Sequence, residues 1–190
     1  AGEGLKTVFV KFMDAVGNWS QVISSQIFMD TAAPVGSVSI NSGAVYTKSQ
    51  SVTLSFDASD SGSGVEKMSF SADWMNWSPL ENFASEKTFT LPSGDGYKTI
   101  YVRYYDKSGK SSAVYTHSII LDTTAPSIAA TSQFPALTNN PNLTVSYTVD
   151  GVAKQKSFNL AEGSNDLSIT ETDLAGNPTA VNLPVIVLDT

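Results

Sequence analysis

Residues 94–126 read GDGYKTIYVRYYDKSGKSSAVYTHSIILDTTAP, and residues 2–34 read GEGLKTVFVKFMDAVGNWSQVISSQIFMDTAAP. Laid over one another without a gap, at an offset of 92, they share Gly2 with Gly94, Lys6 with Lys98, Val10 with Val102, Asp14 with Asp106, Gly17 with Gly109, Asp30 with Asp122 and Pro34 with Pro126, among others. In the second copy Ile100, Val102 and Tyr104 alternate with Tyr101, Arg103 and Tyr105. This period of two sends one set of side chains to a core and the other to a surface. The run DKSGK at 106–110 brings an Asp able to bond the turn backbone and a Gly able to take positive φ, so the chain reverses into a second strand over 113–121. Each copy reads as a β-hairpin, and the chain as a piece of a tandem array.

Upstream of the second hairpin, Val52, Leu54 and Phe56 alternate with Ser and Thr, Met68, Phe70 and Ala72 alternate again, and short strands fit 37–40 and 87–91. About seven strands thus lie between Pro34 and Asp122, the spacing of a β-sandwich. A third, divergent hairpin follows over 165–173 and 179–188, where Asp173, Gly176 and Asn177 stand in the places of Asp14, Gly17 and Asn18. Its opening, TNNPNLTVSY at 138–147, parallels TKSQSVTLSF at 47–56 but leads to the final hairpin after far fewer residues, as in a trimmed sandwich. DTAAP at 30–34 and DTTAP at 122–126 mark boundaries, because proline cannot donate to a ladder and pushes the preceding residue to extended geometry. The expected layout is a partial repeat at 1–34 holding only the last two strands, a complete domain at 35–126 and a shortened one at 127–190. Short, stiff linkers would join them as an extended rod.

The chain has 11 Lys and Arg against 18 Asp and Glu, a net charge of −7. An acidic surface poor in charge speaks against nucleic acid and anionic membranes as partners. No apolar run is long enough to span a membrane. The sequence has no cysteine, which excludes disulfides, thiolate metal sites and a Cys nucleophile. Secreted eukaryotic modules lean on disulfides, so their absence points towards a bacterial source.

The run SGVEKMSFSADWMNW at 63–77, followed by LPSGDGYKTIYVRYYDKSGK and SIILDTTAP, resembles the immunoglobulin-like or fibronectin III-like repeats of large bacterial extracellular proteins. Such repeats show a DxxGN hairpin turn and end in DTTAP. The segment LAEGSNDLSITETDLAGN in the third repeat is similar to a related bacterial Ig-like type with an AEGxN turn before its penultimate strand. The resemblance implies an all-β fold of tandem Ig-like sandwiches, outside the cell or on its surface. The second repeat departs from the pattern in having Lys110 where the others have Asn18 and Asn177, so that turn is expected to be less tightly hydrogen-bonded.

Nothing in the sequence has the spacing of a catalytic motif: there is no GxSxG elbow, no HExxH and no phosphate-binding glycine loop. His117, the one histidine, lies mid-strand, and its counterpart in the first repeat is Ser25. The acidic residues are more suggestive. In a seven-strand Ig order, the loop after the second strand and the turn between the last two lie at the pole where the chain comes in. That places Asp30, Asp57, Asp60 and Asp106 together in the second repeat, and Asp122, Asp150, Glu171 and Asp173 together in the third. Either set could bind calcium, which takes six to eight oxygens; equally, each Asp could cap its own turn. Trp77 is expected in the core, and Trp74 in a turn at 73–76. In that turn Trp74 is a candidate surface aromatic, and Tyr101, Arg103 and Tyr105 on the outward face of their strand form a stripe able to meet a glycan or a protein, unless cross-strand neighbours cover it.

The sequence therefore describes a non-catalytic structural and adhesive scaffold whose partners are neighbouring repeats. Two other readings stand beside it. One is a filament subunit in which other copies of the chain, head to tail, supply the strands missing from the first repeat. The other is an accessory or carbohydrate-binding segment of a large secreted enzyme.

Overall fold

The computed structural model, which describes residues 2–190, is built of strands and, among those residues, one 3-10 turn at Asn41–Gly43. The strands are β1 (Gly4–Val10), β2 (Ile23–Met29), β3 (Val35–Ile40), β4 (Tyr46–Thr47), β5 (Ser51–Ser59) and β6 (Val65–Ser71). Next come β7 (Glu81–Asn82), β8 (Glu86–Thr90), β9 (Gly96–Asp106), β10 (Tyr115–Leu121), β11 (Ile128–Ala130) and β12 (Leu137–Thr138). The last six are β13 (Asn142–Val149), β14 (Val152–Asn159), β15 (Gly163–Asn165), β16 (Ser168–Thr172), β17 (Pro178–Asn182) and β18 (Ile186–Leu188). By contact the chain falls into two compact units. One gathers residues up to Ala44 with Ser51–Pro92 and Lys98–Ile119, the other Val45–Gln50, Ser93–Tyr97 and Ile120–Thr190.

In the first unit, β1 and β2 form a two-stranded antiparallel sheet in register from Gly4 opposite Met29 to Val10 opposite Ile23. Sheets β3-β5-β8 and β4-β10-β9-β6-β7 are those expected of a sandwich, all but β4, the start of β9 and the end of β10 lying in this unit. Their inward side chains meet as the alternation requires: Val38, Ile40, Val52, Leu54 and Phe56 come from one sheet, Met68, Phe70, Ile100, Val102 and Tyr104 from the other, all buried. The Phe56 ring lies 5.3 Å from that of Phe70 and 6.5 Å from that of Tyr104, and the Tyr104 hydroxyl donates to the Ser37 carbonyl at 2.5 Å. Burial pushes the Tyr104 phenol well above its ordinary pKa.

The second unit holds the third repeat, with sheets β11-β13-β14, β12-β18-β15 and β16-β17. Its core is smaller: Val145, Tyr147, Ile169 and Leu183 form one cluster and Leu160, Ile186 and Leu188 another. The two long strands expected at 165–173 and 179–188 are each broken, into β15 with β16 and β17 with β18. Pro184 lies in the second break, where a residue without an N–H ends one ladder and the chain passes to another sheet.

Candidate cation site and aromatic surface

Three of the four acids placed at the pole of the second repeat come together. Asp30 follows β2, Asp60 lies in the loop after β5 and Asp106 ends β9, and one carboxylate oxygen from each lies within 4.8 Å of the others. Asp30 accepts the Ala32 N–H (3.0 Å) and the Ser63 N–H (2.6 Å). Hydrogen bonding from Ser63 holds the Asp30 carboxyl below its usual range, with the Lys110 ammonium adding to the effect. Asp60 Oδ2 accepts the N–H groups of Gly62 (3.0 Å) and Gly64 (2.8 Å). Gly62 has no room for a side chain, since a Cβ there would collide with the Asp30 carboxyl group.

The oxygens without donors make the cluster more than three capped turns. Asp106 is 2 % exposed, and its Oδ1 takes both the Lys110 N–H (2.9 Å) and the Ser108 hydroxyl (2.8 Å). Its Oδ2 is buried with no donor, as is Oδ1 of Asp60. The equivalent turns differ in one respect. Asn18 Nδ2 donates to Asp14 Oδ2 at 3.0 Å, and Asn177 Nδ2 to Asp173 Oδ2 at 2.9 Å; Lys110 has no such amide, so in the second repeat the oxygen is left over. A buried acceptor without a donor costs about 1–3 kcal/mol. A hard cation relieves that cost, and Ca²⁺ takes carboxylate oxygens of this kind.

Asp57 does not join them. β5 continues to Ser59 instead of ending at Phe56, so Asp57 is a strand residue paired with Ser37, exposed on the side opposite the buried Phe56. In the third repeat, Asp122, Asp150, Glu171 and Asp173 are each engaged separately, and among the described residues no ligand group forms from them. Asp122 caps the Thr124 N–H and Asp150 the Ser127 N–H. Glu171 accepts the Tyr147 hydroxyl (2.6 Å) and the Lys154 ammonium (2.7 Å), and Lys154, followed by Tyr147, holds its carboxyl low. Burial alone would raise the Asp173 carboxyl, but the Asn177 N–H and amide override it.

The aromatic surface differs from expectation at Trp77, which is partly exposed with the Arg103 guanidinium 4.7 Å over its ring. It leaves the core because Asp73 draws residues 73–76 into a tight turn, accepting the N–H groups of Met75 (2.9 Å) and Asn76 (2.8 Å) and the Asn76 amide (2.7 Å). These bonds, that of the Asn76 N–H foremost, pull the Asp73 carboxyl down to about 2. Trp74 has φ +69°, a left-handed backbone rare for a bulky residue. Its ring is half exposed, edge-on to Tyr101 at 5.2 Å and to Trp77 at 6.3 Å. The Trp77 indole N–H closes the turn on the Trp74 carbonyl at 3.0 Å. Trp74, Tyr101 and Arg103 thus share one surface with Trp77, while Tyr105 stands further along β9, bridged to Ser111. The WMNW spacing at 74–77 was a legible sign that the two indoles share one turn.

No protein-family model matches the sequence, and no curated protein matches it. Among solved structures, the chain is similar to fibronectin(III)-like modules of Clostridium thermocellum CbhA, with a TM-score of 0.50 and 14% identity over 80% of this chain and 93% of that one. A tetra-tandem repeat from the extending region of a large adhesion protein aligns over 98% of this chain and 57% of that one, with 18% identity and a TM-score of 0.38. The first likeness establishes the fold as fibronectin III-like β-sandwich modules in tandem.

Proposed function

We propose that this chain is a non-catalytic structural and adhesive scaffold of a bacterial extracellular or cell-surface protein, an array of Ig-like repeats of the DxxGN and DTTAP type. Calcium, held by Asp30, Asp60 and Asp106, fastens the end of the first hairpin to the loops of the sandwich that follows. The carrying observation is the 98 % buried Asp106, whose Oδ2 has no donor and belongs to a three-carboxylate cluster. An ion that binds only the folded chain stabilises it by mass action, by about 2.7 kcal/mol at a hundred times Kd. Thermal unfolding in chelator and in millimolar calcium is the test. A higher Tm with calcium that disappears in Asp106→Asn supports the clamp, and superimposable curves remove it.

A second reading, an accessory segment that binds carbohydrate, is favoured by Trp74, a half-exposed ring on a left-handed backbone. Binding to a glycan array by the parent chain, lost in Trp74→Ala, would establish this reading; identical blank arrays would end it.

A further inference from the structure

Strands β1 and β2 correspond to β9 and β10, with the same turn bonds, Asp14 N–H to the Asn18 carbonyl and Asp106 N–H to the Lys110 carbonyl, yet their apolar faces are in opposite states. Ile100, Val102 and Tyr104 are 0 % exposed, and Ile119 and Leu121 are 1 % exposed. The residues 92 positions earlier, Val8, Val10, Phe12, Ile27 and Met29, are exposed at 57, 40, 62, 65 and 37 %. The uncovered hairpin is nevertheless built like the covered one. The Phe12 N–H donates to Ser20 Oγ at 2.9 Å as that of Tyr104 does to Ser112 Oγ at 3.0 Å. Thr31 bonds the Glu3 carboxylate as Thr123 bonds that of Asp95. In the complete sandwich β6 pairs along β9, with Phe70 opposite Val102 and Met68 opposite Tyr104, and Phe56 and Phe83 pack on the Tyr104 ring.

We propose that the apolar face and free β1 edge of the first hairpin are a docking surface for the matching strand set of another repeat of the same type, with the sequence pattern of residues 35–93. A hairpin alone is marginal in water and its unpaired edge is a template for strand addition. The register dictates the fit: the incoming counterpart of β6 places its Phe70 equivalent opposite Val10 and its Met68 equivalent opposite Phe12. One position narrows the partner. Phe12 has no hydroxyl, so the carbonyl that Ser37 offers Tyr104 is not needed, and the partner meets an apolar ring there. This proposal is independent of the cation.

The test is to splice a copy of residues 35–93 ahead of Gly2, so that Gly2 takes the place of Gly94, and to compare the spliced and 190-residue chains. Hydrogen exchange across β1 and β2, the emission of a Phe12→Trp probe and sedimentation are read in both. Amides of β1 and β2 that slow by about a hundredfold or more on splicing, with blue-shifted emission and a monomeric chain, support the proposal. Val10→Asp should abolish both changes, whereas Lys11→Glu, on the opposite face, should leave them. Exchange and emission unchanged by splicing would overturn it. So would a 190-residue chain that self-associates with its hairpin already protected, because a second copy would then be the occupant and a filament the assembly.

Discussion

The side chain at position 110 decides whether the aspartate of the turn has both its carboxylate oxygens bonded. With asparagine the turn is self-sufficient, both carboxylate oxygens of its aspartate being bonded, as at Asp14 and Asp173; with lysine, Asp106 Oδ2 stays available. Lys110→Asn should therefore cap Asp106, abolish the calcium response in thermal melts and raise stability in chelator by about 0.5–1.5 kcal/mol, the net worth of one hydrogen bond. Gly62→Ala should cost about 1–3 kcal/mol by overpacking, since the new methyl drives the Asp30 carboxyl aside, and the calcium shift in Tm should vanish with it. At Asp73 the folded carboxyl sits near 2 against an ordinary 3.8. The folded value is the lower one, so the turn's contribution is complete above the ordinary value and is lost as pH falls through the folded one. Tryptophan emission from Trp74 and Trp77 should be level down to about pH 4 and shift between about pH 4 and 2, a shift absent in Asp73→Asn.

Among the elements, β14 shows where the sequence was hardest to read. Its residues VAKQKSFN are almost all exposed, so no alternation announces the strand. The turn before it was the available signal: Asp150 and Gly151 have φ of +48° and +81°, the two-residue Asp-Gly hairpin connection whose twist suits paired strands. Gly151→Ala should loosen β13 and β14 at a cost of about 1 kcal/mol or more, seen as a lower urea midpoint with unchanged m-value. The hairpins β1–β2 and β9–β10 were legible because buried and exposed residues alternate in the complete copy and the other copy repeats it. Asp57 was misplaced because strand ends are set by pairing partners, here β3 opposite β5 through Ser59, and no local residue marks them. The clustering of Asp30 with Asp60 and Asp106 followed from repeat topology. The orphaned Asp106 oxygen within it goes with Lys110, a departure that only comparison among the three turns exposes.

For the whole molecule, Asp14, Asp30, Asp73, Glu171 and Asp173 all have carboxyls below their ordinary values. Each favours the folded state above the ordinary carboxylate range and loses that contribution as pH falls below it. The urea midpoint should hold steady from pH 7 to about 5 and drop below about pH 4, with acid sensitivity in both compact units. The offset of 92 that relates residues 2–34 to 94–126 has a further consequence, at the level of inheritance. A gain or loss of 92 residues between equivalent positions of the two stretches would add or remove one whole sandwich and leave the reading frame of the repeat intact. Length would then change in steps of one complete module, with no half-built sandwich between them.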